Sequence, residues 1–267
     1  MSRKIQVPFV TKEWLIENWI NTDKSLNDLS KELGVNSSVL ESRTSKFGLR
    51  KDFKHSINKE KLFDFKNPNV CYLAGLLATD GYLNTNSDFV SLTLVGDSEK
   101  KLLEDILLYF ESTDVVRQYK GSNSNNIRSS IRISCRGIKD FMFEKFNIPA
   151  KDKTSLLEFP KSFFNEDCKK AFLLGCFDGD GCISHIKSGS PTVVLLTKSE
   201  KFIDGLYDSI LCIPQISCKK GLDRGYPYIS VSKKQNVKNF LDWLYSSTSV
   251  LRLERKYEKY LQVKDIV

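Results

Sequence analysis

Between residues 66 and 265 the apolar positions follow two periods in turn. NVCYLAGLLATD (69–80) and CKKAFLLGCFDGD (168–180) read as apolar helices. FVSLTL (89–94) and TVVLLT (192–197) are rich in β-branched residues and read as strands. SEKKLLEDILLYF, opened by Ser98, and SEKFIDGLYDSIL, opened by Ser199, return to helical spacing with serine as the expected N-cap. IRIS (131–134) and YISVS (228–232) give further strands, and Ile138–Phe146 and Val237–Tyr245 the closing helices. The order αββαββα therefore occurs twice. It predicts the α+β class, antiparallel sheets with helices on one face. LRLERKYEKYLQV predicts a last helix.

The two halves share a motif. LAGLLATDG (73–81) and LLGCFDGDG (173–181) place Asp80 and Asp180 100 residues apart, and the Ser98 and Ser199 helices keep nearly the same offset. Three landmarks in one order imply two copies of one unit. Ala74 and Ala78, Gly75 and Thr79, and Gly175 and Gly179 lie four apart, on one helix face each. Helical glycine costs about 1 kcal/mol against alanine, so these small residues predict two helices packed backbone to backbone. Gly81 and Gly181 are expected to end the helices in a left-handed residue. An aspartate at a helix C-terminus sits in an unfavourable field. If the helices run side by side in one sense, Asp80 and Asp180 meet at one edge and repel. A divalent cation relieves both problems, and Mg²⁺ takes a few carboxylates together with water and phosphate oxygens.

Composition narrows the chemistry. Lys plus Arg is 41 against 33 Asp plus Glu, a net charge of +8. That suits a nucleic-acid binder, although charge alone does not separate one from an ordinary soluble protein. Seven cysteines, with no CxxC pair, argue against zinc and against a disulfide framework. Two histidines, His55 and His185, leave no room for histidine-rich catalysis. No apolar run reaches the roughly 20 residues of a membrane span, and the N-terminus carries no signal-peptide pattern. The expected place is the cytoplasm, or wherever the host DNA resides.

On these paired nonapeptides the chain resembles the LAGLIDADG homing endonucleases in their single-chain, two-repeat form, over about residues 65–265. The resemblance implies a pseudo-symmetric dimer of αββαββα repeats in one chain, with saddle-like sheets in the DNA major groove. It implies Mg²⁺-dependent (or Mn²⁺-dependent) hydrolysis of one phosphodiester in each strand, leaving short 3′ overhangs. Asp80 and Asp180 are then the catalytic, metal-binding carboxylates. The earlier acidic position of the motif is Ala78 in the first copy and Asp178 in the second. The resemblance also implies a basic or polar residue on each sheet near the metals. Arg136 and Lys233 or Lys234 follow the last strands and are the candidates.

Residues 1–50 read as a helix-turn-helix segment. Leu26, Leu29 and Leu33 share a helix face behind Ser25, Gly34-Val35-Asn36 turns, and a second helix places Ser37, Ser38, Ser42, Arg43 and Lys46 outward for the major groove. The expected division is 1–50, a basic linker 51–65, a first repeat 66–160 and a second repeat 161–267. Further DNA contacts are expected from Asn84, Asn86, Arg117, Gln118, Lys120, Asn123, Asn125 and Arg128 in the first repeat. His185, Lys187, Lys219, Lys220 and Arg224 are their counterparts in the second. Arginine reads guanine, Asn and Gln read adenine, and lysine more often holds phosphate. The expected partner is double-stranded DNA, with intron RNA as a further one, and the expected state a monomer. The alternative is a non-cleaving binder on the same scaffold, a transcription regulator or an intron maturase.

Overall fold

The computed structural model describes residues 9–22, 24–49, 55–96, 98–120 and 126–266. Asn123, Asn125, the Ser98 cap and the first part of the basic stretch lie outside the described residues or side chains. The chain divides into two units, Met1–Lys54 and His55–Val267.

In the first unit α1 (Lys12–Leu15) runs on as a π-helical turn, Ile16–Ile20, before α2 (Leu26–Leu33) and α3 (Ser37–Lys46). Ser25 and Asp28 form a reciprocal capping box at the start of α2. Gly34 ends that helix in the left-handed region, φ 65°, and Asn36 caps α3. Val10, Leu15, Leu29 and Leu40 are buried together, with Trp14 and Trp19 packed on them.

The second unit is folded from His55 onward. Asn58 N donates to Phe110 O, Thr113 N donates to Ser56 O, and Leu62 on α4 (Lys59–Leu62) is fully buried. The first half comprises α5 (Pro68–Thr79), β1 (Gly81–Leu83), β2 (Phe89–Val95), α6 (Ser98–Tyr109), β3 (Arg117–Lys120), β4 (Ile127–Ser134) and α7 (Ile138–Phe146). After a short join holding α8 (Lys153–Leu156), the order repeats. The second half has α9 (Glu166–Asp180), β5 (Gly181–Ser184), β6 (Thr192–Leu196), α10 (Glu200–Leu211), β7 (Lys219–Asp223), β8 (Tyr226–Val231) and α11 (Lys234–Leu244). The last helix is α12 (Glu254–Ile266).

The sheets have the orders β1-β2-β4-β3 and β5-β6-β8-β7, every pair antiparallel. Alternation decides their faces. Val90, Leu92, Ile131 and Ile133 are buried in the core, as are Val193, Leu195, Ile229 and Val231. Their neighbours on each strand turn to the open face.

Helices α5 and α9 form the seam. A Cβ on Gly75 would lie inside the van der Waals contact of Phe172 O and 2.8 Å from Cys176 N. A Cβ on Gly175 would meet Tyr72 O and lie 2.9 Å from Leu76 N. The contact is reciprocal, and Gly179 in turn meets Thr79. Residue numbers rise together along it, so the helices run in the same sense. Gly81 and Gly181 depart from expectation. Neither takes a positive φ; Gly181 sits at φ −76°, ψ 152°. The chain leaves each helix directly into a strand folded back on the last turn. A Cβ there would strike Leu77, 2.6 Å from its carbonyl oxygen, or Phe177, 2.5 Å from its carbonyl oxygen. Absence of a side chain is what these positions need.

Candidate catalytic and nucleic-acid site

Because the seam helices are parallel, Asp80 at the C-cap of α5 and Asp180 at the end of α9 emerge at the same edge. Asp80 Oδ2 lies near enough to Gly179 that a Cβ there would stand 3.3 Å away. Both side chains reach solvent, but protein packs close on their helix side. That partial burial raises Asp180 to about 6, and the charge of Asp80 is the next cause. Asp80 moves in the same direction, through burial, against the pull of Lys256 and Lys153. A groove of about 330 Å³ opens beside Asp180, lined by Thr79, Lys153, Thr197 and Lys198 among others.

Two lysines complete the site, and neither is among the residues expected from the sequence. Lys153 Nζ donates to Leu77 O, Thr79 O and Gly81 O at 2.8, 3.1 and 2.8 Å. Lys256 Nζ donates to Phe177 O, Asp178 O and Gly179 O at 2.6, 2.8 and 3.1 Å. Each ammonium thus closes the C-terminal carbonyls of one seam helix and offsets the field in which the aspartate stands. Burial lowers both lysines to about 8, while the carboxylates oppose the shift. The only signal in the sequence is spacing. Lys153 follows Asp80 by 73 residues and Lys256 follows Asp180 by 76, without local likeness around them.

The expected basic partners lie elsewhere. Gly81 is level with Leu92 and Ile131, whereas β4 continues to Ser134 beside Phe89 before Arg136. Arg136 is therefore at least about 10 Å along the strands from the Asp80 edge. Lys233 and Lys234 follow Val231, which pairs with Val193, two residues beyond the row of Gly181, Leu195 and Ile229. Lys234 Nζ lies against Gly189 in the β5–β6 hairpin. All three lie beyond the ends of their strands, displaced along them from the aspartate edge.

The other expected contacts divide. Arg117 and Arg128 face outward with Thr93 and Val95 on the first sheet, although Arg117 is paired to Asp114 at 2.6 Å. Gln118 and Lys120 belong to the opposite face, because they pair with Ser129 and Ile127; Gln118 donates to the buried Ser129. Lys219 lies on the open face of the second sheet, but Lys220 turns back to Asp204 on α10 at 2.6 Å. Asn84 and Asn86 form the β1–β2 turn, where Asn84 Oδ1 accepts from Asn86 N and Ser87 N. His185 and Lys187 are exposed in the β5–β6 hairpin, and Arg224 at φ 48° in the β7–β8 turn. In the first unit Ser38, Ser42 and Lys46 are exposed and Ser37 half-buried. Arg43 is instead tied down, its Nη1 donating to Val10 O at 2.5 Å. Arg132, Tyr82 and Tyr119 are open-face residues that the sequence did not single out.

Parallel seam helices that deliver one aspartate each to an edge between two antiparallel sheets define a two-motif α+β scaffold. Residues 167–244 match the LAGLIDADG-like domain family. The homing endonuclease I-WcaI bound to its DNA recognition sequence shares the fold at 14% identity and TM-score 0.50, over 78% of this chain and 94% of that one. The LAGLIDADG homing endonuclease I-LtrWI bound to target DNA does so at 12% identity and TM-score 0.50, over 76% and 91%. Full-length DUF199/WhiA from Thermatoga maritima aligns at 16% identity and TM-score 0.50, over 78% of this chain and 64% of its own. No curated protein matches the chain. The protein carries a LAGLIDADG-like domain in the LAGLIDADG fold, as a single chain with two motif-bearing halves. Among the described residues no helix is long and apolar enough to cross a membrane.

Proposed function

We propose that this chain is a site-specific endonuclease. It binds a long double-stranded DNA target across the open faces of its sheets and hydrolyses one phosphodiester in each strand at the Asp80–Asp180 edge. The observation that carries the reading is the meeting of two raised carboxylates at parallel helix ends, each helix closed by its own lysine. A divalent cation, Mg²⁺ or Mn²⁺, fits this donor set of hard oxygens in a solvent-reached groove. Asp80 and Asp180 would hold it, and when bound it activates water and stabilises the leaving oxygen.

The chain's own groups do the rest. Lys153 and Lys256 balance charge at an edge that must accept both carboxylates and a phosphate. Lys198, exposed beside Asp180, is placed to hold that phosphate. The N-terminal helix pair adds DNA contacts through Ser37, Ser38, Ser42 and Lys46. With both halves in one chain the protein acts as a monomer.

A binder without cleavage is the second reading. It is favoured by the scarcity of ligands: among the described residues no three His, Cys, Asp or Glu side chains converge on one point. One experiment separates the two. The DNA flanking this gene, with any intervening element removed, is placed in a plasmid. It is incubated with the protein in Mg²⁺ or EDTA, and with Asp80→Asn and Asp180→Asn variants in Mg²⁺. One discrete Mg²⁺-dependent double-strand cut, lost in both variants, is expected. Tight binding without a cut overturns cleavage and selects the regulator.

A further inference from the structure

Each capping lysine is carried by its own half and fastened to the other. Lys153 opens α8 and closes α5 of the first half. The C-cap of α8, Leu157, donates its N–H to Lys153 O at 3.0 Å. Its carbonyl accepts from Ser199 Oγ at 2.6 Å, and Ser199 is the N-cap of α10 in the second half. Two hydrogen bonds thus lead from the second half to the backbone of Lys153. Ser199 is 2% exposed, and its hydroxyl both donates to Leu157 O and accepts from Phe202 N.

The tail of the second half does the same with other side chains. Lys256 closes α9, and its neighbour Arg255 donates from Nε to Glu99 Oε1 at 2.9 Å. Glu99 stands in the first turn of α6, in the first half, and is almost wholly buried. The place is the same in both halves, the start of the helix that follows the first hairpin. Apolar contact would hold two segments together without setting their direction. A hydrogen bond fixes distance and angle, and an ionised partner shortens and strengthens it. A segment needs that fixing if its ammonium is to land on three carbonyls.

Resting on the cleavage reading above, we propose that Ser199 and Glu99 are positioning residues for the opposite half. Ser199 sets Lys153 and with it the Asp80 end. Glu99, through Arg255, sets Lys256 and with it the Asp180 end. Neither half completes its own edge, and the two are coupled crosswise.

The test acetylates the full chain with a succinimidyl ester well below the melting temperature and reads each lysine by mass spectrometry. Ser199→Ala is expected to raise labelling of Lys153 about 3- to 10-fold, the worth of one hydrogen bond, and to leave Lys256 unchanged. Glu99→Leu is expected to do the reverse. Ser199→Thr and Glu99→Gln keep an oxygen for the bond and should label like the parent. On cleavable DNA, Ser199→Ala and Glu99→Leu should each slow single-turnover cutting by a similar factor without loosening binding. Labelling that changes at both lysines, at neither, or at the uncrossed one overturns the assignment whether or not the chain cuts. Crossed labelling with cutting unchanged overturns the role in the reaction. If labelling crosses and the parent chain cuts no DNA, the cleavage reading falls and the crosswise anchoring of the lysines stands.

Discussion

The phenol of Tyr72 on α5 donates to Asp178 Oδ2 on α9 at 2.8 Å, and the same oxygen accepts from Leu253 N at 2.7 Å. One buried carboxylate thus ties both seam helices to the segment that carries Lys256. Burial raises Asp178 to about 6, and its other oxygen has no partner among the described residues. The earlier acidic position of the second motif is therefore a structural tie. The first motif has Ala78 there, and Lys153 is carried on the four-residue α8 instead.

Tyr72→Phe removes one donor and leaves an apolar ring, so it should cost about 1 kcal/mol. Asp178→Ala strands Tyr72 Oη and Leu253 N together and should cost about 2–4 kcal/mol. Urea midpoints of the two variants give the comparison; equal losses would remove the case for a shared tie.

Gly175→Ala pushes a methyl group into the Tyr72 carbonyl of the facing helix. The seam has no space to yield, so the loss should reach at least about 1–3 kcal/mol. The substitution should also lower cleavage, since the two aspartates ride on the displaced helices. Thermal unfolding and cleavage rates of the same variant check both effects. An unchanged melting temperature contradicts backbone-to-backbone contact.

Lys256→Met and Lys153→Met each uncap three carbonyls while keeping a long apolar stem. Each should cost about 2–4 kcal/mol. If they also act on the transition state, cleavage should fall about 100-fold or more. Lys256 is only 4% exposed, so its variant should be the less stable. Cleavage measured well below each variant's melting temperature separates the two effects.

The stabilising effect of a divalent cation should depend on pH in a defined direction. Asp180 holds its proton up to about 6 in the folded chain, against an ordinary 3.8. Its contribution to metal-free stability is therefore complete below about pH 4 and fades as pH rises through about 6. If a cation binds the ionised pair, as proposed, the rise in melting temperature on adding Mg²⁺ should be small near pH 5 and grow towards pH 7. An equal rise in a chain carrying both Asp80→Asn and Asp180→Asn would place the cation elsewhere.

The repeat, the element order and the seam were all legible in the sequence, because period and small-residue spacing report local geometry and close packing directly. The small-residue contact at Gly75 and Gly175 follows from those signals, and the meeting of Asp80 with Asp180 follows once the helices run in the same sense. Which face a strand residue takes depends on register, and one residue's shift reverses it. Gln118, Lys120 and Lys220 were expected at DNA from their polarity, which does not report that register sets them in line with Ser129, Ile127 and Ile229. Lys153 and Lys256 were invisible because their partners are backbone carbonyls, which leave no mark in the sequence, and they stand among 41 basic residues. Arg43 shows the converse, an outward-looking position in the helical pattern claimed by a loop carbonyl 33 residues away.

Each seam helix is completed by a lysine from the stretch that follows its own half, α8 after the first and the start of α12 after the second. The natural module therefore does not stop where its last sheet-packed helix stops. It runs from a motif helix to the trailing lysine, and the join between the halves is the first module's tail. Cut after α8, the chain would yield two pieces, each with its own aspartate and its own cap, whose common need is a partner helix. The stretch that looks like a connector, and the one that looks like an appendage, are the same part used twice.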